Sequence, residues 1–144
     1  MIEILLVEDN PADAKLTVAA FQQLHVANHV VVAKDGDEAL AFLFQKGVHG
    51  AAPRPSLILL DLNLPGKSGH EVLSEIKSNE NLKTIPVLIL SSSDDPGDIA
   101  RTYQNHANCY ITKPADLNGL FAIVESIAGF WFTSAKLPDF QYRL

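Results

Sequence analysis

The sequence predicts an α/β fold in which a five-stranded parallel sheet is covered by helices on both faces. Five short aliphatic segments alternate with five segments that carry helix signals, and no repeat, low-complexity tract or linker interrupts them. Strict alternation of strands and helices is typical of parallel sheets. The run LILL at residues 57–60 has no polar position, as expected of a strand buried on both faces. A chain of 144 residues is long enough for one such domain with a complete core.

The first half of the chain contains two strand–helix units. A strand is predicted over Ile2–Val7, and the Asn10-Pro11 pair that follows is typical of a helix cap with proline at the first helical position. The other predicted features of this half are a strand at residues 29–33, a turn at residues 35–37 and a helix at residues 39–46 that ends at Gly47.

The second half of the chain contains three more units. A loop rich in glycine and proline, at residues 47–56, precedes them. The predicted strands are residues 57–61, 86–90 and 109–111. Their helices begin at the capping residues Ser68, Asp95 and Asp116, and the last helix is predicted to run to about residue 132.

Composition and charge exclude several classes of protein. The formal charge of −6 and the absence of a Lys or Arg cluster argue against nucleic-acid binding, which needs a basic surface. Cys109 is the only cysteine, so an internal disulfide is impossible and a thiolate metal site is disfavoured. The N-terminus has no basic leader region and no apolar run approaches the length of a membrane span. We therefore predict a cytoplasmic protein without membrane contact.

Polar side chains follow four of the five predicted strands at the point where each strand ends. Because the carboxyl ends of parallel strands meet at one edge of a sheet, these side chains should lie close together. They are Glu8 and Asp9 after the first strand, Asp61 and Asn63 after the third, Ser91 and Ser92 after the fourth, and Thr112 and Lys113 after the fifth. Clustered carboxylates repel one another unless they share a cation, and Mg²⁺ prefers such oxygen ligands. The sequence therefore predicts a magnesium site at this edge.

The position of Asp61, directly after the most apolar strand, calls for a functional explanation. Burying a carboxylate is unfavourable unless a partner neutralises it. A metal ion together with the ammonium of Lys113 would stabilise transfer of a phosphoryl group to the carboxylate, which gives an acyl phosphate. We therefore predict that Asp61 is a phosphate acceptor.

Four sequence motifs at these strand ends resemble those of a known family. The motifs are LLVEDN, LLDLNLPGKSG, PVLILSS and YITKPA, in that order along the chain. With them the chain resembles the receiver domain of two-component response regulators over nearly its whole length. The resemblance implies a flavodoxin-like, doubly wound (βα)5 fold and the transfer of a phosphoryl group from a sensor histidine kinase.

The resemblance also implies a role for each residue of the phosphorylation site. Asp61 matches the phospho-acceptor, and Glu8 and Asp9 match the acidic pair that binds the metal. Asn63 would contribute its backbone carbonyl to the metal, and Lys113 would bind a phosphoryl oxygen. Glu at position 8, where the family more often has Asp, lengthens the reach to the metal. The implied cofactor is Mg²⁺.

Two further residues match the switch of the family. Ser91 matches the hydroxyl that moves toward the phosphoryl group, and Tyr110 matches the aromatic residue that then turns inward. The surface formed by the fourth helix, fifth strand and fifth helix would change as a result. The resemblance also implies a cis peptide bond between Lys113 and Pro114.

The end of the chain indicates how the signal leaves the protein. We expect a receiver domain over residues 1–133 and a tail over residues 134–144, with a protein contact or onward phosphotransfer as the output. Five aromatic residues crowd the last fifteen positions, namely Phe130, Trp131, Phe132, Phe140 and Tyr142. Three consecutive aromatic residues cannot share one helix face, so some should cover the core and others should meet a partner.

This ending, the long loop before the third strand and the stretch HANCYITK resemble the small regulators of cyanobacterial bacteriophytochrome-type photoreceptor kinases. The implied partner is a phytochrome-type histidine kinase, and the implied assembly is a homodimer formed through the last helix and the tail.

Two other functions fit some of the same residues. A haloacid-dehalogenase-type phosphatase also uses an Asp at a strand end with Mg²⁺, but it needs a second Asp where this chain has Asn63. A pseudo-receiver would bind partners without phosphorylation, although the complete set of site residues disfavours it. We expect a stoichiometric acceptor that catalyses only its own phosphorylation and dephosphorylation, not an enzyme.

Overall fold

The computed structural model describes residues 1–140, and within them strands and helices alternate as predicted. The strands are β1 (Ile2–Val7), β2 (Asn28–Ala33), β3 (Leu57–Leu60), β4 (Val87–Ser91) and β5 (Cys109–Thr112). The helices are α1 (Pro11–Gln22), α2 (Gly36–Leu43), α3 (Gly69–Ser78), α4 (Pro96–Gln104) and α5 (Leu117–Ile127), with a short 3₁₀ turn at Gly47–His49.

All five strands are parallel, in the order β2-β1-β3-β4-β5. The pairing aligns the strand ends, with Val7 opposite Leu60 and Ser91 opposite Thr112. The predicted (βα)5 fold is confirmed. The order reverses at β1 and β3, and open α/β sheets bind their ligands beyond the carboxyl ends of such neighbouring strands.

Each strand sends alternate side chains to two hydrophobic cores, one on each face of the sheet. In β3, Leu57 and Leu59 belong to the core that includes Phe21 of α1 and Val124 of α5. Ile58 and Leu60 belong to the other core, which includes residues of α2 and α3. The absence of a polar position in β3 follows from this double burial.

A polar side chain caps the amino-terminal end of each of the five helices. The predicted caps Asn10, Ser68, Asp95 and Asp116 each accept a hydrogen bond from a first-turn amide. Helix α2 starts at Gly36, not at residue 39, because Asp35 accepts a hydrogen bond of 2.7 Å from the Glu38 amide and caps the helix. The predicted turn at residues 35–37 is therefore the first turn of this helix.

The helical stretch at the end of the chain runs slightly further than predicted, although α5 itself ends at Ile127, before residue 132. Beyond α5 the chain continues as a π-helical segment over Ala128–Ser134. By length and composition alone, Leu117–Ser134 could cross a membrane, contrary to the sequence expectation. The expectation failed because the helix passes residue 132 and contains one charged residue, Glu125. Val124 and Ile127 pack in the core beside Phe21, as in a core helix, so the segment is weak evidence for a membrane span.

The ammonium of Lys77 joins the amino-terminal ends of β4 and β5. It donates to the carbonyls of Lys83 and Ile85 at 3.0 and 2.9 Å, and to Asn108 Oδ1 at 3.1 Å. Asn108 Oδ1 also accepts from the Val87 amide. Partial burial lowers the pKa of Lys77. The Lys77 side chain therefore adds three hydrogen bonds to the direct contact between Asn108 and Val87 at this end of the sheet.

Replacing Lys77 with Met should lower the free energy of unfolding by about 2 kcal/mol, because these acceptors lose a charged donor. Urea denaturation measures the change. Lys83→Met is the matched control, because within residues 1–140 its ammonium contacts only the exposed Glu80. Equal stability of the two variants would show that Lys77 does not hold the strands together.

Candidate functional site

The predicted acidic residues meet at the carboxyl edge of the sheet. Oxygen atoms of Glu8, Asp9 and Asp61 all lie within 4.8 Å of one another. Glu8 and Asp61 are buried, with 4% and 6% exposure, whereas Asp9 is exposed. Three carboxylates at this spacing, one of them open to solvent, fit a single hard cation.

Lys113 reaches this cluster from the end of β5. Its ammonium lies 2.5 Å from Glu8 Oε1 and 3.1 Å from Asp61 Oδ2. A fourth carboxylate, Asp13 on α1, lies 3.5 Å from the same nitrogen. Sequence reasoning missed Asp13, although its place in the first turn after β1 puts it at this edge.

Burial and pairing act in opposite directions on the charged groups of the site. Burial raises the pKa of Glu8, and the hydrogen bonds from Lys113 and the Asn10 amide oppose that rise without cancelling it. Burial alone would lower the pKa of Lys113, but its hydrogen bond to Glu8 and the charge of Asp61 outweigh burial and raise it. The ammonium therefore stays charged, and the buried carboxylates depend on it.

Backbone contacts fix the position of Asp61. Its amide donates to the Val7 carbonyl at 3.1 Å, which continues the pairing of β1 and β3 past the strand end. The Asn63 amide donates to Asp61 Oδ1 at 3.2 Å. Asn63 thus contacts Asp61 through its backbone amide. Asn63 is exposed and lies beside Asp61, and its role as a metal ligand stays a prediction.

Helix α3 begins directly against the backbone of Asp61. A Cβ built on Gly69 would collide with the Asp61 carbonyl oxygen and would lie 2.5 Å from Leu62 Cα. The Gly69 amide donates to the Leu62 carbonyl at 2.9 Å. Only glycine allows this approach, so the start of α3 is packed on the backbone of Asp61.

The two predicted switch residues meet at Ser93. Ser91 is fully buried, and its hydroxyl oxygen accepts a hydrogen bond of 3.3 Å from the Ser93 amide. The hydroxyl of Tyr110 donates to the Ser93 carbonyl at 2.7 Å, and its ring packs against the core of α2 and α3. Sequence reasoning placed Ser91 and Tyr110 correctly on neighbouring strands but missed Ser93 as the residue that joins them.

The peptide bond between Lys113 and Pro114 is trans, so the predicted cis bond is wrong. The trans form is the lower in energy even before proline. The Lys113 amide donates to the Ser91 carbonyl at 2.7 Å, which joins β4 and β5 just before this bond.

The aromatic residues near the end of the chain divide between core and surface, and the predicted contact of some of them with a partner stays a prediction. Phe132 contacts Phe21, with ring centroids 6.3 Å apart, and Phe140 packs against the core of α2 and α3. Phe130 is 56% exposed and lies edge-on to Trp131. Tyr142 lies outside the described residues.

Comparison with known protein families identifies the fold and the cluster. The profile of the response regulator receiver domain matches residues 4–125, which include every residue of the acidic cluster and both switch residues. The chain belongs to the receiver domain family. Membership confirms the resemblance seen in the motifs and favours a receiver over a haloacid-dehalogenase-type phosphatase.

This receiver domain is similar to regulators of phytochromes. It is 46% identical over 135 residues to response regulator Rcp1 of Synechocystis sp., covering 94% of this chain and 92% of Rcp1. The crystal structure of the Mn²⁺-bound form of Rcp1 has a TM-score of 0.91 at 45% identity, over 96% of this chain and 100% of that one. The phosphorylated cyanobacterial phytochrome response regulator RcpA has a TM-score of 0.92 at 52% identity, over 96% and 99%.

Replacing Gly69 with Ala should destabilise the receiver domain by about 1–3 kcal/mol, because the added methyl group displaces the backbone of Asp61. Thermal or urea unfolding measures the loss. Gly129→Ala is the matched control, since its methyl group would meet nothing within 4 Å. A Gly69→Ala protein as stable as the control would contradict the tight contact.

Proposed function

We propose that this receiver domain accepts a phosphoryl group on Asp61 and signals through the conformational change that follows. The observation that supports the proposal is the contact of the Lys113 ammonium with Asp61 at 3.1 Å, inside a cluster of three carboxylates. A receiver needs a buried acceptor, a fixed cation beside it and oxygen ligands for a metal. All three are within a few ångströms of one another at this edge.

The transfer moves one PO₃ unit from a donor to a carboxylate oxygen. An Asp61 oxygen attacks phosphorus as the bond from phosphorus to the donor nitrogen of a phosphohistidine breaks, and that nitrogen leaves with the bonding electrons. Lys113 holds a fixed positive charge beside the acceptor, where negative charge accumulates on the phosphoryl oxygens. Its existing contact with Asp61 means that little rearrangement is needed.

The acidic cluster fits Mg²⁺ as the metal of the site. Glu8, Asp9 and Asp61 would hold the ion, together with the backbone carbonyl of Asn63. When bound, the ion supplies charge that offsets the phosphoryl oxygens and the clustered carboxylates. Rcp1, a close relative, has been crystallised in a Mn²⁺-bound form, which supports a divalent metal.

Ser91 and Tyr110 would couple the phosphoryl group to the surface. The Ser91 hydroxyl can donate to a phosphoryl oxygen while it still accepts from Ser93. The Ser93 carbonyl also accepts a hydrogen bond from the Tyr110 hydroxyl. A shift of the loop that contains Ser93 would therefore move the Tyr110 side chain. The α4–β5–α5 face, on which Tyr110 and Tyr103 lie, would then change its shape and its partners.

The pathway follows from the relatives. Rcp1 and RcpA are response regulators, RcpA that of a cyanobacterial phytochrome, which supports a phytochrome-type sensor histidine kinase in the cytoplasm as the phosphoryl donor. The output would be a protein contact or onward phosphotransfer. We assign residues 1–133 to the receiver and residues 134–144 to a tail. The protein would catalyse only its own phosphorylation and dephosphorylation.

Incubation with acetyl phosphate and Mg²⁺ should add one phosphoryl group, detected by intact mass. Asp61→Asn should abolish the addition, because the amide lacks the nucleophilic oxygen, and a chelator should slow it strongly. Asp94→Asn is the matched control, since Asp94 is exposed and is not part of the cluster.

Two outcomes would reject this function in different ways. Phosphoryl addition that survives Asp61→Asn would place the acceptor elsewhere, and no addition at all would favour a pseudo-receiver. Catalytic turnover of a phosphomonoester would instead favour the phosphatase.

A homodimer through α5 and the tail is the assembly that we propose. Phe130 stands exposed beside Trp131, and both line an apolar groove with Ile123 and Cys109. Cys109 and Ile111 of β5, the edge strand of the sheet, form one side of this groove. A second copy of the chain would present the same apolar groove, as a two-fold symmetric interface requires.

Phe130→Asp should convert the dimer to a monomer in light-scattering measurements, because the charge would be buried in the interface. Val48→Asp is the control for a surface charge, since Val48 is 95% exposed in the loop after α2. A wild-type chain that is monomeric with and without phosphorylation would contradict this interface.

A further inference from the structure

A chain of hydrogen bonds links α3 to the loop that follows β4. The hydroxyl of Ser93 donates to Asp98 Oδ2 at 2.7 Å, and Asp98 Oδ1 lies 3.2 Å from His70 Nε2. A carboxylate can only accept, so Nε2 carries the hydrogen of this contact. His70 of α3, Asp98 of α4 and Ser93 of the loop between β4 and α4 are thus joined in series. We call this series the His70–Asp98–Ser93 chain.

His70 is an anchor for this chain because it is buried. Its exposure is only 7%, and the other ring nitrogen, Nδ1, has no hydrogen-bond partner within residues 1–140. Within residues 1–140, the contact with Asp98 is therefore the one hydrogen bond that the His70 ring makes. The hydrogen bond from Ser93, followed by that from His70, lowers the pKa of Asp98, so the acceptor is a charged carboxylate.

Both ends of the chain lie next to phosphorylation residues. His70 follows Gly69, whose Cα packs on the backbone of Asp61. Ser93 receives the Tyr110 hydroxyl on its carbonyl and donates its amide to Ser91. The His70–Asp98–Ser93 chain therefore connects the start of α3, beside Asp61, with the loop between β4 and α4. We call this loop, residues 92–95, the switch loop.

The switch loop depends on such bonds. Residues 92, 94 and 95 are exposed, and Ser93 is half-buried, so apolar packing does little to hold the loop. The Ser93 hydroxyl is also the acceptor for the Asp95 amide at 3.2 Å, which couples the loop to the cap of α4. Removing Asp98 would take away the acceptor of the Ser93 hydroxyl, and removing His70 would take away the donor that holds Asp98. Either change would leave Ser93, whose carbonyl holds the Tyr110 hydroxyl, less firmly positioned.

We propose that His70 and Asp98 are positioning residues that set the fraction of molecules in which Tyr110 is seated on Ser93. Loss of either residue lowers this fraction and slows phosphoryl capture, because Ser91 and Tyr110 are both aligned by Ser93. The effect on capture rests on the function proposed above, whereas the effect on Tyr110 does not.

The test uses the full chain labelled with 3-fluorotyrosine, which gives one fluorine signal for each of its three tyrosines. Substitution of each tyrosine by Phe assigns the signals. His70→Leu and Asp98→Ala should each shift or broaden the Tyr110 signal. Each should also slow phosphorylation by acetyl phosphate about tenfold, the size expected for one charge-assisted hydrogen bond.

Conservative variants and a double variant separate positioning from general destabilisation. His70→Gln keeps a donor near the Nε2 position, and Asp98→Asn keeps polar atoms toward both partners, so both should retain most of the wild-type signal and rate. The double variant His70→Leu with Asp98→Ala should be no slower than the slower single variant, because both break one chain. Asp94→Ala, which removes an exposed carboxylate from the same loop, should leave the signal and rate unchanged.

The outcomes are distinct. A Tyr110 signal that is unchanged in His70→Leu and Asp98→Ala overturns the proposal, as does an additive double variant. A shifted signal with an unchanged phosphorylation rate overturns the link to capture. If the wild-type chain is not phosphorylated at all, the function proposed above fails, and the fluorine signals still decide whether the chain seats Tyr110.

Discussion

The ammonium of Lys113 is the interaction on which the site depends. Glu8 and Asp61 are both buried, and two buried carboxylates side by side cost several kcal/mol unless a cation pairs with them. Lys113 contacts both, and so joins the carboxyl ends of β1, β3 and β5. The charge that stabilises the two buried carboxylates explains how Asp61 can follow the most apolar strand of the sheet, and in the proposed function the same charge would stabilise a phosphoryl group.

The strand order explains why the cluster forms at this edge. β1 and β3 are neighbours in the sheet although β2 and α2 separate them in sequence, so the acidic pair and Asp61 lie side by side. β5 is two strands away from β3, a gap that a shorter side chain than lysine would not cross. Ser91 ends β4, the strand between them, and its carbonyl accepts a hydrogen bond from the Lys113 amide. The strand order thus determines how many strands separate each residue of the site from Asp61.

Features that depend on local sequence were predictable, and features that depend on side-chain contacts between distant elements were not. The strands, four helix caps and the cluster follow from aliphatic runs, capping residues and the parallel pattern. Asp35 was mistaken for part of a turn because capping and turn signals use the same residues. The resemblance to the receiver family implied a cis bond before Pro114, but the bond is trans, and no feature of the local sequence predicts this difference. The contact of His70 with Asp98 joins positions 28 apart, on helices whose mutual packing the sequence does not show.

The way the switch loop is held fits its proposed task. A reversal of a two-state equilibrium from 1:99 to 99:1 takes about 5.5 kcal/mol. A net hydrogen bond contributes about 1 kcal/mol, and one to a charged group somewhat more. The loop after β4 is held by a handful of such bonds centred on Ser93, not by buried apolar surface. The energy that holds the loop is therefore comparable to the energy that such a reversal takes. A loop packed into the core would need far more to move.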